Sequence, residues 1–150
     1  MIKVDVFIKN KNWKKRISNP KKYLNNRVKY LRNSISFLKN KKINFSIQLA
    51  GNKEIKLLNK KFRKKNKSTD VLSFPYNNLY TLRKLKKKDI YLGDIILNYY
   101  KIKKKSFKEN FNKLWIHGFL HLVGHKHKKN NDYYKMNKLE KLIFSKIQKK

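Results

Sequence analysis

Hydrophobic and polar residues alternate in two segments of the chain. Residues 2–8 and 43–49 place an apolar side chain at every second position, which is the period of a half-buried strand. Two further segments, Val71–Pro75 and residues 90–97, are more continuously apolar. Because proline closes the first of them, we expect that strand to have an exposed end. The pattern predicts four strands.

Apolar residues between these strands recur every three or four positions, which is typical of amphipathic helices. Asn19-Pro20 offers an N-cap and a first-turn proline to a long helix that continues to residue 38. A second helix is expected after Gly51, with Arg63 near its end. The polar stretch 76–89 predicts a loop.

Two more helices are expected in the last third of the chain. Ser106-Phe-Lys-Glu109 fits a capping box that opens the third helix. Apolar residues at helical spacing mark a fourth helix near the C-terminus. The order β-α-β-α-β-β-α-α favours an α+β fold with a mixed four-stranded sheet and helices packed on it, in a single domain over residues 1–150. The third helix is apolar on more than one side, so we expect it to be central.

All four histidines fall between His117 and His127. His117 and His121 are four residues apart, which puts both imidazoles on one face of a helix. Gly124 can end that helix in a left-handed conformation, so that a third imidazole, His127 or His125, could approach the pair. Three nitrogen ligands with one open position are typical of a catalytic zinc site, whereas a structural site usually has four protein ligands. The pattern favours a metal site over unrelated surface histidines.

Composition limits the residue types that could bind a metal and suggests a class of binding partner. The chain has no cysteine, so any metal must use His, Asp or Glu. Its formal net charge of +34 suggests a polyanionic partner, with RNA or DNA as the first candidate and an anionic membrane surface as the second. Lysine dominates that charge, as it does in proteins of AT-rich genomes, so the charge permits nucleic-acid binding and argues for it only weakly. Because Lys3 and Asp5 interrupt the apolar residues at the start of the sequence, we expect no secretory signal there. No apolar run in the sequence is long enough to span a bilayer.

Three segments together resemble the bacterial YbeY family. The first is His117-Gly-Phe-Leu-His121-Leu-Val-Gly124, followed by a histidine six residues after His121, which resembles the family's zinc-binding signature. The others are Leu58-Asn59 with Phe62-Arg63 and Thr69-Asp-Val-Leu-Ser-Phe-Pro75, and then Leu92-Gly-Asp-Ile95. The resemblance covers nearly the whole chain. It implies a cytoplasmic, zincin-like, metal-dependent endoribonuclease.

The resemblance also implies roles for particular residues. His117, His121 and His127 would bind one Zn²⁺ ion, and Arg63 would be the active-site arginine. The expected partners are single-stranded RNA, ribosomal RNA and the small ribosomal subunit, with late 3′-end maturation and ribosome quality control as the processes and no membrane involved. The chain departs from the family where His125-Lys126 replaces the usual Tyr-Asp. The missing carboxylate could weaken a contact that orients a ligand imidazole.

Several other residues could contribute to catalysis, although a structural role is favoured for each. Asp70 and Asp94 are candidates for the general base, but both could instead satisfy backbone donors at turns. Ser73 could contact substrate. Three aromatic residues could stack on bases, although core packing is the favoured role: Phe74, Trp115 and Phe119.

Two alternative functions remain open from the sequence. The first is a metallopeptidase, because the histidine pair resembles His-Glu-x-x-His. Gly118 stands where that motif needs its general-base glutamate, which argues against the peptidase. The second is a non-catalytic RNA- or ribosome-binding assembly factor with a structural metal. Loss of cleavage without loss of RNA binding on replacing His121 would distinguish the enzyme from the binding factor.

Overall fold

A mixed four-stranded sheet forms the centre of the structure, a computed structural model that describes residues 1–126 and 129–149. Its strands lie in the order β1-β2-β4-β3. The strands β1 and β2 pair in parallel, as do β2 and β4, while β3 runs antiparallel to β4. The bounds are β1 (Ile2–Ile8), β2 (Lys42–Ala50), β3 (Val71–Pro75) and β4 (Asp89–Asn98). The predicted four-stranded mixed sheet is confirmed, and the exposed Pro75 ends the edge strand β3.

Within the described residues, five α-helices and four 3-10 segments connect and cover these strands. The helices are α1 (Pro20–Val28), α2 (Asn52–Arg63), α3 (Leu79–Lys84), α4 (Phe107–Leu122) and α5 (Asn130–Gln148), and the 3-10 segments are Lys11–Lys15, Lys29–Ser34, Ser36–Leu38 and Tyr99–Lys101. In the part of the chain that the structure describes, no helix is long and apolar enough to cross a membrane.

The helices cover both faces of the sheet. The main core joins α1, α4 and α5 to one face. A smaller apolar cluster lies between α2 and the other face and is formed by Ala50, Ile55, Leu72 and Ile96, with Leu58 and Phe74 against it. Burial of apolar area on both faces stabilises this layered arrangement.

Helix α4 is the central helix, as its sequence predicts. Phe111, Trp115 and Phe119 are all fully buried. Gly118 faces the sheet, and a Cβ atom there would lie 2.9 Å from Cγ2 of Ile95. The absence of a side chain at this position therefore lets α4 approach β4 closely.

The N-terminal half departs from the predicted pattern in one place. The expected long helix ends at Val28 and continues as the 3-10 segments Lys29–Ser34 and Ser36–Leu38. Leu31, Ile35 and Leu38 remain buried, so the apolar pattern identified the inward positions correctly. The intervening serines and asparagine have low helix propensity, which favours the shorter segments over a regular α-helix.

Two local predictions are wrong in detail. The expected loop 76–89 contains the short helix α3, which Asn78 caps by accepting a hydrogen bond from the backbone N–H of Thr81 at 2.8 Å. Ser106 does not form a capping box, because it has left-handed backbone angles (φ 56°, ψ 44°) and its side chain makes no capping hydrogen bond. A capping serine normally needs an extended backbone that directs its oxygen toward the first helical turn.

Buried Asn112 joins three elements of the main core. Its side-chain oxygen accepts hydrogen bonds from Trp115 Nε1 at 3.0 Å and from the Tyr23 hydroxyl at 3.2 Å. Its amide nitrogen donates to Gln148 Oε1 at 3.3 Å. One amide therefore satisfies the buried indole and connects α4 to α1 and α5.

We predict that Asn112→Ala lowers the free energy of unfolding by about 1–3 kcal/mol, because the buried Trp115 N–H would lose its acceptor. Urea denaturation of the two proteins measures the difference. Asn26→Ala, at an exposed position of α1, is the matched control and should change stability little. Equal stability of the Asn112 variant and the wild type would contradict the role assigned to this amide.

Candidate functional site

His117 and His121 lie side by side on α4, as their spacing predicts. Their Nε2 atoms are 3.1 Å apart, and the two rings meet nearly edge to face, with centroids 4.6 Å apart. Both residues are half-buried, and both line a cavity of about 1090 Å³. The pair is therefore accessible to a ligand that enters this cavity.

Each imidazole is held through its other nitrogen. His117 Nδ1 forms a short hydrogen bond with the carboxylate oxygen Oε1 of Glu140 on α5. His121 Nδ1 donates to the backbone carbonyl of His125 at 2.8 Å. Because both partners are acceptors, the proton of each neutral imidazole is placed on Nδ1, which leaves the lone pair on Nε2.

This arrangement fits two ligands of one metal ion. Two nitrogens at about 2.0–2.1 Å from a tetrahedral Zn²⁺ are about 3.3 Å apart, close to the separation of the two Nε2 atoms. A hydrogen bond between these atoms would instead require an extra proton and a charged imidazole. A carboxylate or carbonyl acceptor at Nδ1 is the usual partner of a metal-bound histidine.

The end of α4 explains how the His125 carbonyl reaches His121. The N–H of Gly124 donates to the His121 carbonyl at 3.1 Å, and the N–H of His125 donates to the Leu120 carbonyl at 3.0 Å. With Gly124 at φ +98°, these bonds form a Schellman motif. The predicted left-handed helix end is confirmed, and it folds the chain back over the histidine pair.

Of the two candidates for the third imidazole, the structure describes His125. The predicted ligand His127 lies outside the described residues. His125 is half-buried at the cavity, where burial and, secondarily, the charge of Arg83 lower its pKa and favour the neutral ring. Among residues 1–126 and 129–149, however, no three His, Asp or Glu side chains are grouped to hold a metal ion. His125 therefore does not complete a three-ligand site with the pair here.

Arg63 lines the same cavity as His117 and His121. It is the last residue of α2, and Lys64 follows in a left-handed conformation with φ 56°. The buried side chain of Asn59 donates to the Lys67 carbonyl at 2.9 Å and ties the following loop back to the helix. These contacts fix the turn from which the exposed guanidinium reaches the cavity.

The two carboxylates proposed as general bases lie in different environments. Asp94 accepts short hydrogen bonds from Ser46 and Tyr91 and is not among the described residues that line the cavity. Asp70 is exposed and lines the cavity beside His117. Its loop is held by buried Asn98, whose amide nitrogen donates to the Thr69 carbonyl at 3.1 Å. Asp70 is thus the carboxylate of the two that is available to a ligand.

The contacts of the remaining sequence candidates are structural, although Ser73 also lines the cavity. The Ser73 hydroxyl donates to the Gly118 carbonyl at 3.1 Å and joins β3 to α4. Trp115 and Phe119 are fully buried, so neither can stack on a base, while Phe74 packs edge to face with Phe62. The close contact of Gly118 with the sheet leaves no room for the glutamate of a metallopeptidase motif.

Sequence comparison identifies the family. The model of the family described as Endoribonuclease YbeY matches residues 7–148. The chain belongs to this family. It is accordingly an endoribonuclease, a metal-dependent hydrolase of RNA phosphodiester bonds.

Full-length relatives agree with this assignment. An endoribonuclease YbeY of Pelagibacter ubique is 44% identical, over 100% of this chain and 99% of that protein. An endoribonuclease YbeY of Ehrlichia canis is 33% identical, over 98% of this chain and 93% of that protein. The solution structure of TM1509 from Thermotoga maritima covers 99% of this chain and 93% of its own, with a TM-score of 0.59 at 22% identity, and supports the fold alone.

Glu140 is the site residue of this YbeY chain that sequence reasoning missed. It lies 23 positions after His117, on a helix whose sequence carries no metal-ligand motif. The chain has only eight acidic residues, and Glu140 occupies a half-buried position on α5 beside the core residue Ile143. In the sequence, the available signal was a rare carboxylate next to the apolar stripe of a helix. Its partner, His117, is identified only by the packing of α5 on α4.

We predict that Gly124→Ala lowers the free energy of unfolding by about 1–3 kcal/mol, because alanine is strained at positive φ. Its Cβ would also lie 2.6 Å from Leu79 Cβ. Urea denaturation measures the loss, and Leu79→Gly combined with Gly124→Ala, compared with Leu79→Gly alone, tests its origin because only glycine removes the contacting Cβ. The double variant should recover little of the loss if the backbone strain dominates, and a fully stable Gly124→Ala protein would disprove the constraint.

Proposed function

We propose that this YbeY-family protein is a zinc-dependent, single-strand-specific endoribonuclease that processes ribosomal RNA. The observation that carries the proposal is that His117, His121 and Arg63 line one open cavity. Two imidazoles that could bind a metal and a cation that could bind phosphate thus line the same cavity. The proposed processes are late 3′-end maturation of small-subunit RNA and ribosome quality control, in the cytoplasm.

The proposed ligands of one Zn²⁺ ion are His117, His121 and His127. The fit rests on the Nε2 separation and on the Nδ1 acceptors of the described pair. Imidazole ligands without thiolates also suit other divalent transition ions. When bound, the ion would lower the pKa of water and polarise a phosphoryl oxygen.

Arg63 is proposed to bind the phosphate at the cleaved bond. Its guanidinium can form two parallel hydrogen bonds to phosphate oxygens, which a lysine cannot. Negative charge grows on these oxygens during phosphodiester cleavage, so a fixed guanidinium stabilises the transition state more than the bound substrate. Asp70, on the same cavity wall as His117, is the candidate to accept a proton from the attacking group.

The substrate proposal rests on the charge of the chain and on the family. With a net charge of +34, the protein can hold an RNA backbone through non-specific phosphate contacts. A flexible single strand can bend so that one phosphate enters the cavity between Arg63 and the histidines. The curated relatives carry the name endoribonuclease YbeY, and ribosomal RNA within the small subunit is the substrate that we propose here.

We predict that His121→Ala abolishes cleavage of a labelled single-stranded ribosomal RNA fragment and leaves RNA binding nearly unchanged. The substitution removes one proposed metal ligand but none of the lysines that bind the backbone. Gel assays of cleavage and fluorescence anisotropy of binding, with metal-loaded proteins purified identically, provide the two measurements. The mutant preparation also controls for contaminating ribonucleases.

The two remaining histidines provide matched variants for this experiment. His127→Ala should behave like His121→Ala, while His125→Ala should retain cleavage, because its imidazole is not a proposed ligand. Equal cleavage by wild type and His121→Ala would contradict the metal-centre proposal. Absence of cleavage by the wild type and by all three variants, with RNA binding intact, would favour a non-catalytic assembly factor.

We also predict that Glu140→Gln weakens Zn²⁺ binding by roughly 10-fold or more, the usual consequence of losing a carboxylate behind a ligand imidazole. Glutamine keeps the size of the side chain and a carbonyl acceptor, but it lacks the negative charge that strengthens the bond to His117. Competition with a chromogenic chelator measures the metal affinity directly, without relying on activity.

Glu109→Gln is the control for this experiment because it removes the same charge from position 109 on α4, where the side chain is 42% exposed. Glu109 pairs with Lys113 at 3.6 Å and lies about two helical turns before His117 on α4. Its substitution should leave the zinc affinity nearly unchanged. If the two variants bind zinc equally well, Glu140 does not position His117.

A further inference from the structure

Two tyrosines on the cavity wall expose most of their surface. Tyr76 and Tyr80 are 74% and 68% exposed and line the same cavity as His117 and His121. Keeping large aromatic rings in water forgoes the stabilisation that burial would give. By contrast, the aromatic rings of Trp13, Trp115 and Phe119 are fully buried in the core. An exposed pair of rings beside the proposed metal centre is therefore a candidate ligand surface.

Tyr76 is held in place from the sheet side. Its backbone N–H donates to the Leu92 carbonyl at 2.9 Å. Its ring packs edge to face on Tyr91, with centroids 6.2 Å apart and an interplanar angle of 75°. The Tyr91 hydroxyl donates to Asp94, which also accepts from Ser46, and burial together with this carboxylate raises the pKa of Tyr91. Tyr91 thus remains a protonated, anchored support for Tyr76.

Tyr80 is held from the helix side. It belongs to α3, which is anchored by buried Leu82 and by the contact of Leu79 with Gly124 at the end of α4. The ammonium group of Lys84 lies 4.1 Å from the centre of the Tyr80 ring. The same turn that ends the histidine helix therefore fixes the wall that carries Tyr80, and a cation accompanies its ring.

We propose that Tyr76 and Tyr80 form a base-stacking site that binds unpaired nucleobases of single-stranded RNA next to the histidine pair. This inference rests on the proposed function. It accounts for selectivity for unpaired over paired RNA, which the lysines cannot provide. Lysines contact phosphates, which single strands and duplexes both present. Aromatic rings need an accessible base face, and stacking in a duplex covers both faces of each internal base.

The charge of the chain favours RNA over an apolar partner at this surface. Net charge of +34 attracts a polyanion, and Lys84 and Lys126 border the same wall. Arg63 also faces the cavity. A strand with its phosphate between Arg63 and the histidines would carry its neighbouring bases across the tyrosine wall.

The test compares two labelled RNA oligomers of equal length and equal phosphate number. One carries uracil and adenine bases, and the other has abasic residues throughout its central segment. Binding is measured by fluorescence anisotropy with the wild-type chain, where a gel checks that the RNA stays intact, and again in the His121→Ala background. The variants are Tyr76→Leu with Tyr80→Leu, and Tyr76→Phe with Tyr80→Phe.

The leucine pair should weaken binding of the base-carrying RNA by about fivefold or more for each tyrosine, as expected when a stacking ring is removed. Binding of the abasic RNA should hardly change. The phenylalanine pair should bind both oligomers like the wild type, because it keeps the rings and loses only the hydroxyl groups. Tyr134→Leu, at 67% exposure on α5 and not among the described residues that line the cavity, is the matched control and should have no effect.

The stacking proposal is overturned if the leucine pair binds base-carrying RNA like the wild type, or if it weakens both oligomers equally. It is also overturned if the phenylalanine pair loses binding as the leucine pair does. These outcomes are independent of cleavage. Base-dependent binding without any cleavage would keep the stacking site and reject the nuclease proposal, while cleavage that depends on His121 with no base-dependent binding would do the reverse.

Discussion

The close packing of α4 against the sheet is the constraint on which the candidate site depends. Gly118 leaves no side chain between the helix and Ile95 of β4, and the rings of Phe111, Trp115 and Phe119 on the same helix are fully buried. Because protein interiors are packed nearly as densely as crystals, the helix has little freedom to rotate. The side of α4 that carries His117 and His121 is therefore fixed toward the cavity.

Polar contacts from distant parts of the chain complete the orientation of the two imidazoles. Glu140 reaches His117 from α5, and the turn at Gly124 places the His125 carbonyl against His121. Each contact assigns the Nδ1 proton and directs the Nε2 lone pair to the same point in the cavity. The family's usual carboxylate is missing at Lys126, yet the described pair already has an acceptor for each ring. The departure from the family pattern therefore leaves the orientation of His117 and His121 intact.

Charge and aromatic surface contribute differently to RNA recognition in this protein. A net charge of +34 provides long-range attraction that salt weakens steeply and that is insensitive to base pairing. The rings of Tyr76 and Tyr80 act at short range and require an unpaired base. Both tyrosines line the cavity of the histidine pair, and Leu79 of α3 packs next to Gly124. Both kinds of recognition therefore act close to the histidine site. The same glycine turn thus serves both the orientation of His121 and the proposed substrate contact.

The sequence by itself determined the strands, the central helix, the histidine pair and the glycine that ends α4. These features depend on the periodicity of apolar residues, on a spacing of four, and on a residue without a Cβ, all of which are local. Local rules did not locate the break at Val28, because several short helical forms bury the same apolar positions. They also assigned Ser106 a cap that its left-handed backbone does not make.

Only the tertiary structure decided which side chains share the cavity. Glu140, Tyr76 and Tyr80 carry no motif, since their contribution comes from packing between elements far apart in the chain. The same packing separated Asp70, which lines the cavity, from Asp94, whose Oδ1 accepts hydrogen bonds from Ser46 and Tyr91. Local sequence specifies the backbone conformation of a segment, whereas the neighbours of a side chain depend on how the helices and strands pack together.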